Sequence, residues 1–227
     1  MQDDSHYDDA HAIEKAVSEG RHRSAIGGLW DQVGALQFEF LKSTGLRPHH
    51  TLLDVGCGSL RGGTHFVRYL ESGRYYGIDL NQPLLDAGYE REIVPLGLAG
   101  KLPRSNLACT AEFDATGLGT TFDYLVGISL FTHLNWCRIR LCTERLLSVT
   151  RPGSLFCASY FDLPDGEGAS APRVQPPGAV TTFGHRDPFH YRVSDIRQAI
   201  AGTPWELARA QDWNHPRGQQ MLIFRRG

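Results

Sequence analysis

The stretch LLDVGCGSLRGG, residues 52–63, passes from an apolar segment into four glycines within eight residues. An apolar run before such a loop reads as a strand, and glycine lets the backbone after it approach a ligand that larger side chains would hold away. Where a helix follows, its first N–H groups face the same ligand. The stretch therefore marks a binding turn between a strand and a helix. The residues between and beyond its glycines decide what it binds.

Working outward, strands and helices alternate. Before the turn, Leu29, Val33, Leu36 and Phe40 recur at helical spacing, with Phe38 and Leu41 widening the stripe. This predicts a helix packed on the core or arched over a site. A shorter helix is expected over residues 8–19, with Ile13, Ala16 and Val17 on one side. After the turn, THFVRYLE (64–71) reads as a helix and YYGIDL (75–80) as a strand. NQPLLDAGYEREI (81–93) reads as a helix capped by Asn81, with Pro83 in its first turn. SNLACTA (105–111) and FDYLVGIS (122–129) are the expected third and fourth strands, the latter apolar enough to be buried on both faces. Ile139, Cys142, Leu146 and Val149 mark a helix ended by Pro152-Gly153, and SLFCASYF (154–161) a fifth strand. Ser194 is the expected cap of a helix over 194–202, and WELARAQDW (205–213) pairs with QQMLIFRR (219–226) as a hairpin. Four or five strand-then-helix repeats imply an α/β, Rossmann-like fold: a parallel sheet with helices on both faces.

At 227 residues the chain is expected to form one domain with additions. Residues 1–24 are assigned to an N-terminal extension and 25–227 to the domain, with a helical lid over 25–45 and a long loop insertion over 162–190. Within that insertion, residues 163–188 carry five prolines and four glycines, which excludes regular helix or central strand.

The dinucleotide fingerprint G-x-G-x-x-G asks for a third glycine at position 61, and this chain has Arg61 there. Asp54 stands two places before the first glycine, poorly placed beside a pyrophosphate but well placed to order the loop or meet a cationic amino group. Asp79 ends the second strand, where a carboxylate accepts ribose hydroxyls; that feature fits a nicotinamide dinucleotide and S-adenosylmethionine equally.

LLDVGCGSLRGG, the acid-terminated YYGIDL, FDYLVGISLFTHL and RPGSLFCASYF together resemble the ordered motifs of class I S-adenosylmethionine-dependent methyltransferases of the small-molecule type, over roughly residues 25–225. The resemblance implies a seven-stranded, mostly parallel sheet closed by an antiparallel C-terminal hairpin. It also implies S-adenosylmethionine as methyl donor, held by Asp54, Gly56 and Gly58 in the loop, Asp79 and Leu80 at the ribose and adenine, Glu112 and Phe113 at the adenine edge, and Ser129 at the end of the fourth strand. Glu112-Phe113 departs from the family's usual acid-plus-small-residue pattern. Arg61 either meets the donor's carboxylate or covers helix surface with its aliphatic stem.

Methyl transfer is a direct displacement, so the acceptor has to be held in line; a hydroxyl acceptor also has to lose a proton, for which histidine is the natural base. His133, past the fourth strand, and His190, in the insertion, are the candidate catalytic residues. Each is set against a structural role, such as bonding a backbone carbonyl. Trp30 and Phe38 stand as candidate walls of the acceptor pocket or as core. No Asn/Asp-Pro-Pro-aromatic segment follows the fourth strand, which disfavours amide nitrogen, and oxygen of a sugar or secondary metabolite is the expected target. A nicotinamide oxidoreductase, or an adenosyl-ligand binding subunit without activity, remain the alternatives.

The remaining expectations come from composition. A net charge of -2 supplies no general attraction for nucleic acid, and no apolar run approaches the roughly 18 residues of a membrane span. The acidic start lacks the pattern of a secretory signal, so a cytoplasmic location is expected. Five scattered cysteines, none in C-x-x-C, read as reduced thiols rather than disulfide or metal ligands. The partner is expected to be a small molecule, with no metal, and the protein a monomer or homodimer.

Overall fold

The computed structural model describes residues 9–177 and 180–227. β1 (Leu52–Val55) is buried at all four positions, because strands flank it on both sides and helices cover both faces. Around it lie β2 (Tyr75–Asp79), β3 (Leu107–Cys109), β4 (Phe122–Gly127) and β5 (Thr150–Asp162), all parallel. β9 (Trp205–Asp212) and β10 (Gln220–Arg226) form the expected antiparallel hairpin, giving the order β3-β2-β1-β4-β5-β10-β9. The sheet has eight strands rather than seven. The additional one, β8 (His190–Tyr191), pairs with the far end of β5, which overshoots its neighbours and leaves Phe161 and Asp162 to be paired.

Helices α3 (Trp30–Ser43), α4 (Gly63–Tyr69) and α5 (Gln82–Gly88) belong to one face, and α6 (Trp136–Leu146) and α7 (Val193–Ala199) to the other. Alternation along β5 feeds both cores: Phe156 and Ala158 join Phe131, Trp205 and Phe224, while Cys157 joins Leu41, Phe66, Tyr75 and Trp213. α1 (Ala10–Ser18) docks Ile13 and Ala16 on Leu84 of α5, and α2 (His22–Ala25) leads into the lid; the remainder of the 1–24 assignment, residues 1–8, lies outside the described residues. Among the described residues no helix is long and apolar enough to cross a membrane.

Three boundaries differ from the sequence reading. β5 begins at Thr150, so Pro152-Gly153 sit inside it: the pairing with β4 shifts register there, and both residues are exposed, where a missing N–H costs nothing. α7 begins at Val193, because the Asp195 carboxylate accepts the Arg192 N–H at 2.9 Å and sets the first turn ahead of Ser194. In the insertion, β6 (Arg173–Gln175) and β7 (Val180–Thr182) pair only with each other, away from the main sheet.

Candidate active site

The carboxyl ends of β1, β2, β3 and β4 open into one cleft of about 450 Å³, within the usual range for small-molecule sites. Asp54, Gly56, Gly58, Asp79, Leu80, Glu112, Phe113, Ser129 and His133 all line it. The sequence-predicted donor residues are thus brought together. His190 is not among the lining residues.

The glycine loop is shaped by what covers it. Gly58 adopts φ +53, and a Cβ there would come within 2.8 Å of Ile26 in the lid. A Cβ on Gly62 would meet the Gln37 side chain of α3 at 2.6 Å, and one on Gly63 the Tyr75 hydroxyl at 2.8 Å. The lid therefore sits directly on the loop, with Ile26 and Gln37 in the cleft wall. Trp30 and Phe38 are elsewhere: Arg23 stacks over Trp30 and Phe38 packs on Phe66 and Tyr69. The lid is pinned at Glu92, a buried carboxylate that accepts from His22 at 2.7 Å and from two nitrogens of Arg23 at 2.7 Å.

Arg61 joins the loop to the segment before α3. Buried beside the cleft, it donates to the Gly28 carbonyl at 2.8 Å and so ties the lid to the loop. Cys57 turns away from solvent toward Gly77 of β2, and burial pushes its thiol well up. It is packed rather than reactive.

Asp79 is held by the backbone: one oxygen accepts the Gly58 N–H at 2.8 Å and the other the Asn81 N–H at 2.9 Å. The side chain is only partly covered. Burial raises its carboxyl above the usual range, against the backbone N–H groups of Asn81, Gly58 and Leu80 that pull it down.

Asp54 is 4% exposed and accepts from Tyr75 at 2.8 Å. Burial pushes its carboxyl up to about 7, against the opposing pull of the Tyr75 hydrogen bond and the Arg61 charge. A folded chain that keeps a proton which the unfolded chain sheds near pH 4 loses stability as pH rises from about 4 to about 7. Asp54→Asn, which keeps an acceptor for Tyr75, is expected to remove most of that loss. The ligand-free variant should be more stable than the parent at pH 8 by on the order of 3 kcal/mol and unchanged at pH 4, read by urea unfolding. Equal stability at pH 8 would show that Asp54 ionises without strain. Asp79 acts in the same direction and remains in both proteins.

At the β3 end of the cleft, Phe113 is held at φ 57 with the Arg138 guanidinium over its ring at 4.9 Å. Arg138 also pairs with Glu112 at 3.1 Å and donates to the Ala111 carbonyl. Leu80, 40% exposed, presents an apolar side chain to the same space.

Ser129 is also left-handed, at φ 58. Its N–H donates to Ser159 at 2.6 Å, and Gln219, from the hairpin connection, donates to its hydroxyl at 3.0 Å while accepting from Ser159 at 2.6 Å. Strain of this kind persists only where the surroundings over-determine it. The pairing of Gln220 with Tyr160 also settles which edge the hairpin connection occupies: it lies beyond the end of β5, on the cleft side.

His133 Nδ1 lies 2.6 Å from Asp187. The two are 54 residues apart, and hydrogen bonds to the chain on either side of His133 lock them together: the Phe189 N–H donates to the Thr132 carbonyl at 2.7 Å and the Tyr191 hydroxyl to the Leu134 carbonyl at 2.6 Å. Asp187 was a residue of the insertion with no assigned role in the sequence. His190 is 2% exposed, with Nδ1 against Thr182 at 2.9 Å and Nε2 against the Ala169 carbonyl at 3.3 Å. Both ring nitrogens serve the insertion, so His190 corrects to a residue that holds the insertion's own fold.

No family model matches the chain. Among solved structures, it is similar to magnesium protoporphyrin IX methyltransferase from Synechocystis PCC 6803 with bound S-adenosylmethionine, at 15% identity and a TM-score of 0.65 over 97% of this chain and 98% of that one. A S-adenosylmethionine-dependent methyltransferase from Clostridium acetobutylicum aligns at 12% identity and a TM-score of 0.62, over 96% and 97% of the two chains. The glycopeptide N-methyltransferase MtfA, complexed with S-adenosylmethionine, aligns at 12% and 0.61, over 86% and 94%. The strand order, the terminal hairpin and these alignments agree: this chain has the Rossmann-like fold of class I S-adenosylmethionine-dependent methyltransferases.

Proposed function

We propose that this protein transfers a methyl group from S-adenosylmethionine to a hydroxyl oxygen of a small molecule, with His133 as general base. The observation that carries the base is His133 in the cleft wall with Asp187 against its Nδ1. A carboxylate against Nδ1 holds the proton there and leaves Nε2 as the basic nitrogen.

The residues fit the donor better than a dinucleotide. Gln37 stands against Gly62, over the start of α4, where a pyrophosphate would need open backbone N–H groups, and Asp54 puts a carboxylate in the same space. Asp54 suits a cationic amino-acid part, Asp79 offers a carboxylate to vicinal hydroxyls, and Leu80, Phe113 and Arg138 frame a flat apolar ring. When bound, S-adenosylmethionine supplies an electrophilic methyl on a sulfonium. The chain's part is to exclude water with the lid, hold the acceptor oxygen in line, and take its proton at His133 Nε2 as the new C–O bond forms. Small-molecule acceptors accord with the porphyrin and glycopeptide named for two of the structural neighbours.

Calorimetry is expected to show binding of S-adenosylhomocysteine and none of NAD. Labelled methyl should then pass from S-adenosylmethionine to hydroxyl-bearing members of an acceptor panel. Heat with NAD alone would replace this reading by the oxidoreductase one, and donor binding without transfer to any acceptor would favour a binding subunit.

A further inference from the structure

Two buried ring N–H groups in the β9–β10 connection have nothing to donate to. Trp213 Nε1 and His215 Nε2 have no hydrogen-bond partner among the described residues, although the residues are 3% and 5% exposed. Leaving such groups unpaired costs about 1–3 kcal/mol each. The other buried indole and its half-buried counterpart do not behave this way: Trp205 donates to Thr143 at 2.9 Å and Trp136 to Asp195 at 3.1 Å. The tautomer of His215 is fixed by geometry, since the Arg217 N–H donates to Nδ1 at 3.2 Å and so leaves the proton on Nε2. Burial first, then the charges of Arg61 and Arg217, push the ring down to about 4, so it stays neutral and remains a one-proton donor on that side.

The two arginines complete the cluster. Arg217 donates to the Gly27 carbonyl at 2.8 Å and Arg61 to the Gly28 carbonyl at 2.8 Å, so two guanidiniums from different elements grip consecutive carbonyl oxygens of the lid. Trp213 and His215 stack at 5.1 Å, and both guanidinium charges act on the His215 ring. The lid there runs through three left-handed residues, Gly27, Gly28 and Leu29. Two adjacent carbonyl oxygens facing two guanidiniums present the pattern of a carboxylate.

We propose that Arg61, Arg217, His215 and Trp213 form an oxyanion subsite that takes a carboxylate of the methyl acceptor, displacing the carbonyls of Gly27 and Gly28 as the lid lifts. The donor-facing residues end β1, β2 and β3, and Arg61 leaves the loop after β1 and lines the same cleft, whereas Trp213, His215 and Arg217 lie in the connection beyond the end of β5 and are not among its lining residues. That separation assigns the anion to the acceptor rather than to the donor's amino-acid part. The proposal rests on the methyl-transfer reading and adds a substrate class to it.

The test follows the Trp213 indole N–H by nitrogen-proton correlation spectroscopy in protein saturated with S-adenosylhomocysteine, the resonance being assigned by its loss in Trp213→Phe. Sodium acetate, titrated against chloride at constant ionic strength, is expected to shift it saturably. Acetamide should not, and Arg217→Gln should weaken acetate at least tenfold. The absence of a saturable shift would overturn the proposal, as would an equal shift with acetamide. So would a full shift produced by S-adenosylhomocysteine but not by 5′-methylthioadenosine, which would give the cluster to the donor's own carboxylate. Saturation is checked by calorimetry beforehand. If S-adenosylhomocysteine does not bind, the methyl-transfer reading fails by itself, and the acetate titration is then read on the ligand-free protein.

Discussion

Asp79→Asn is expected to lower the affinity for S-adenosylhomocysteine by about a hundredfold, measured by calorimetry. The two Asp79 oxygens are oriented by the N–H groups of Gly58 and Asn81, and the residue lines the cleft. Two charge-assisted bonds to ribose hydroxyls contribute about 3 kcal/mol in total. The amide substitutes a donor for one acceptor, and whichever way it turns, one backbone N–H is left facing it. A structural defect alone would weaken every adenosyl ligand alike. The 2′,3′-dideoxy analogue of S-adenosylhomocysteine should therefore bind parent and variant with similar affinity. Equal losses for both ligands would remove Asp79 from direct contact with the ribose.

The second large effect is expected at His133. His133→Ala should reduce kcat on a hydroxyl acceptor by on the order of a hundredfold to ten-thousandfold, with donor affinity unchanged. Added imidazole should restore part of the rate, because it replaces the base and not the packing. Asp187→Asn should lower kcat in the same direction, since an amide against Nδ1 no longer fixes the tautomer. His190→Ala provides the contrast: loss of its bonds to Thr182 and Ala169 should cost about 1–2 kcal/mol of stability and leave kcat near that of the parent. Full activity in His133→Ala would leave positioning alone as the source of catalysis.

The glycine-loop side of the cleft was legible in the sequence because each of its parts is a short contiguous segment at the end of a strand. Asp54, Gly56 and Gly58 lie within five residues, and Asp79 closes an apolar run. The surroundings of His133 were not legible, since their contacts join distant segments. Nothing in residues 187–191 marked Asp187 rather than His190 as the partner of His133. The deciding facts are the bonds from the Phe189 N–H and the Tyr191 hydroxyl to the carbonyls of Thr132 and Leu134. The roles of Ile26 and Gln37 were hidden for the same reason, although the glycines at 58 and 62 were visible; a missing side chain records that something approaches but not what. Pro152-Gly153 misled in the other direction, because a proline at an exposed bulge does not end a strand.

The thirteen residues of β5 carry a consequence for how such an enzyme diversifies. The strand works as a mast: its far end bears β8 and the insertion on one side and the hairpin connection on the other, while the loop after β1 and the ends of β2 and β3 all precede residue 115. Change in the segments that this far end bears would leave that loop and those strand ends in place, much as a tool changes its bit and keeps its handle.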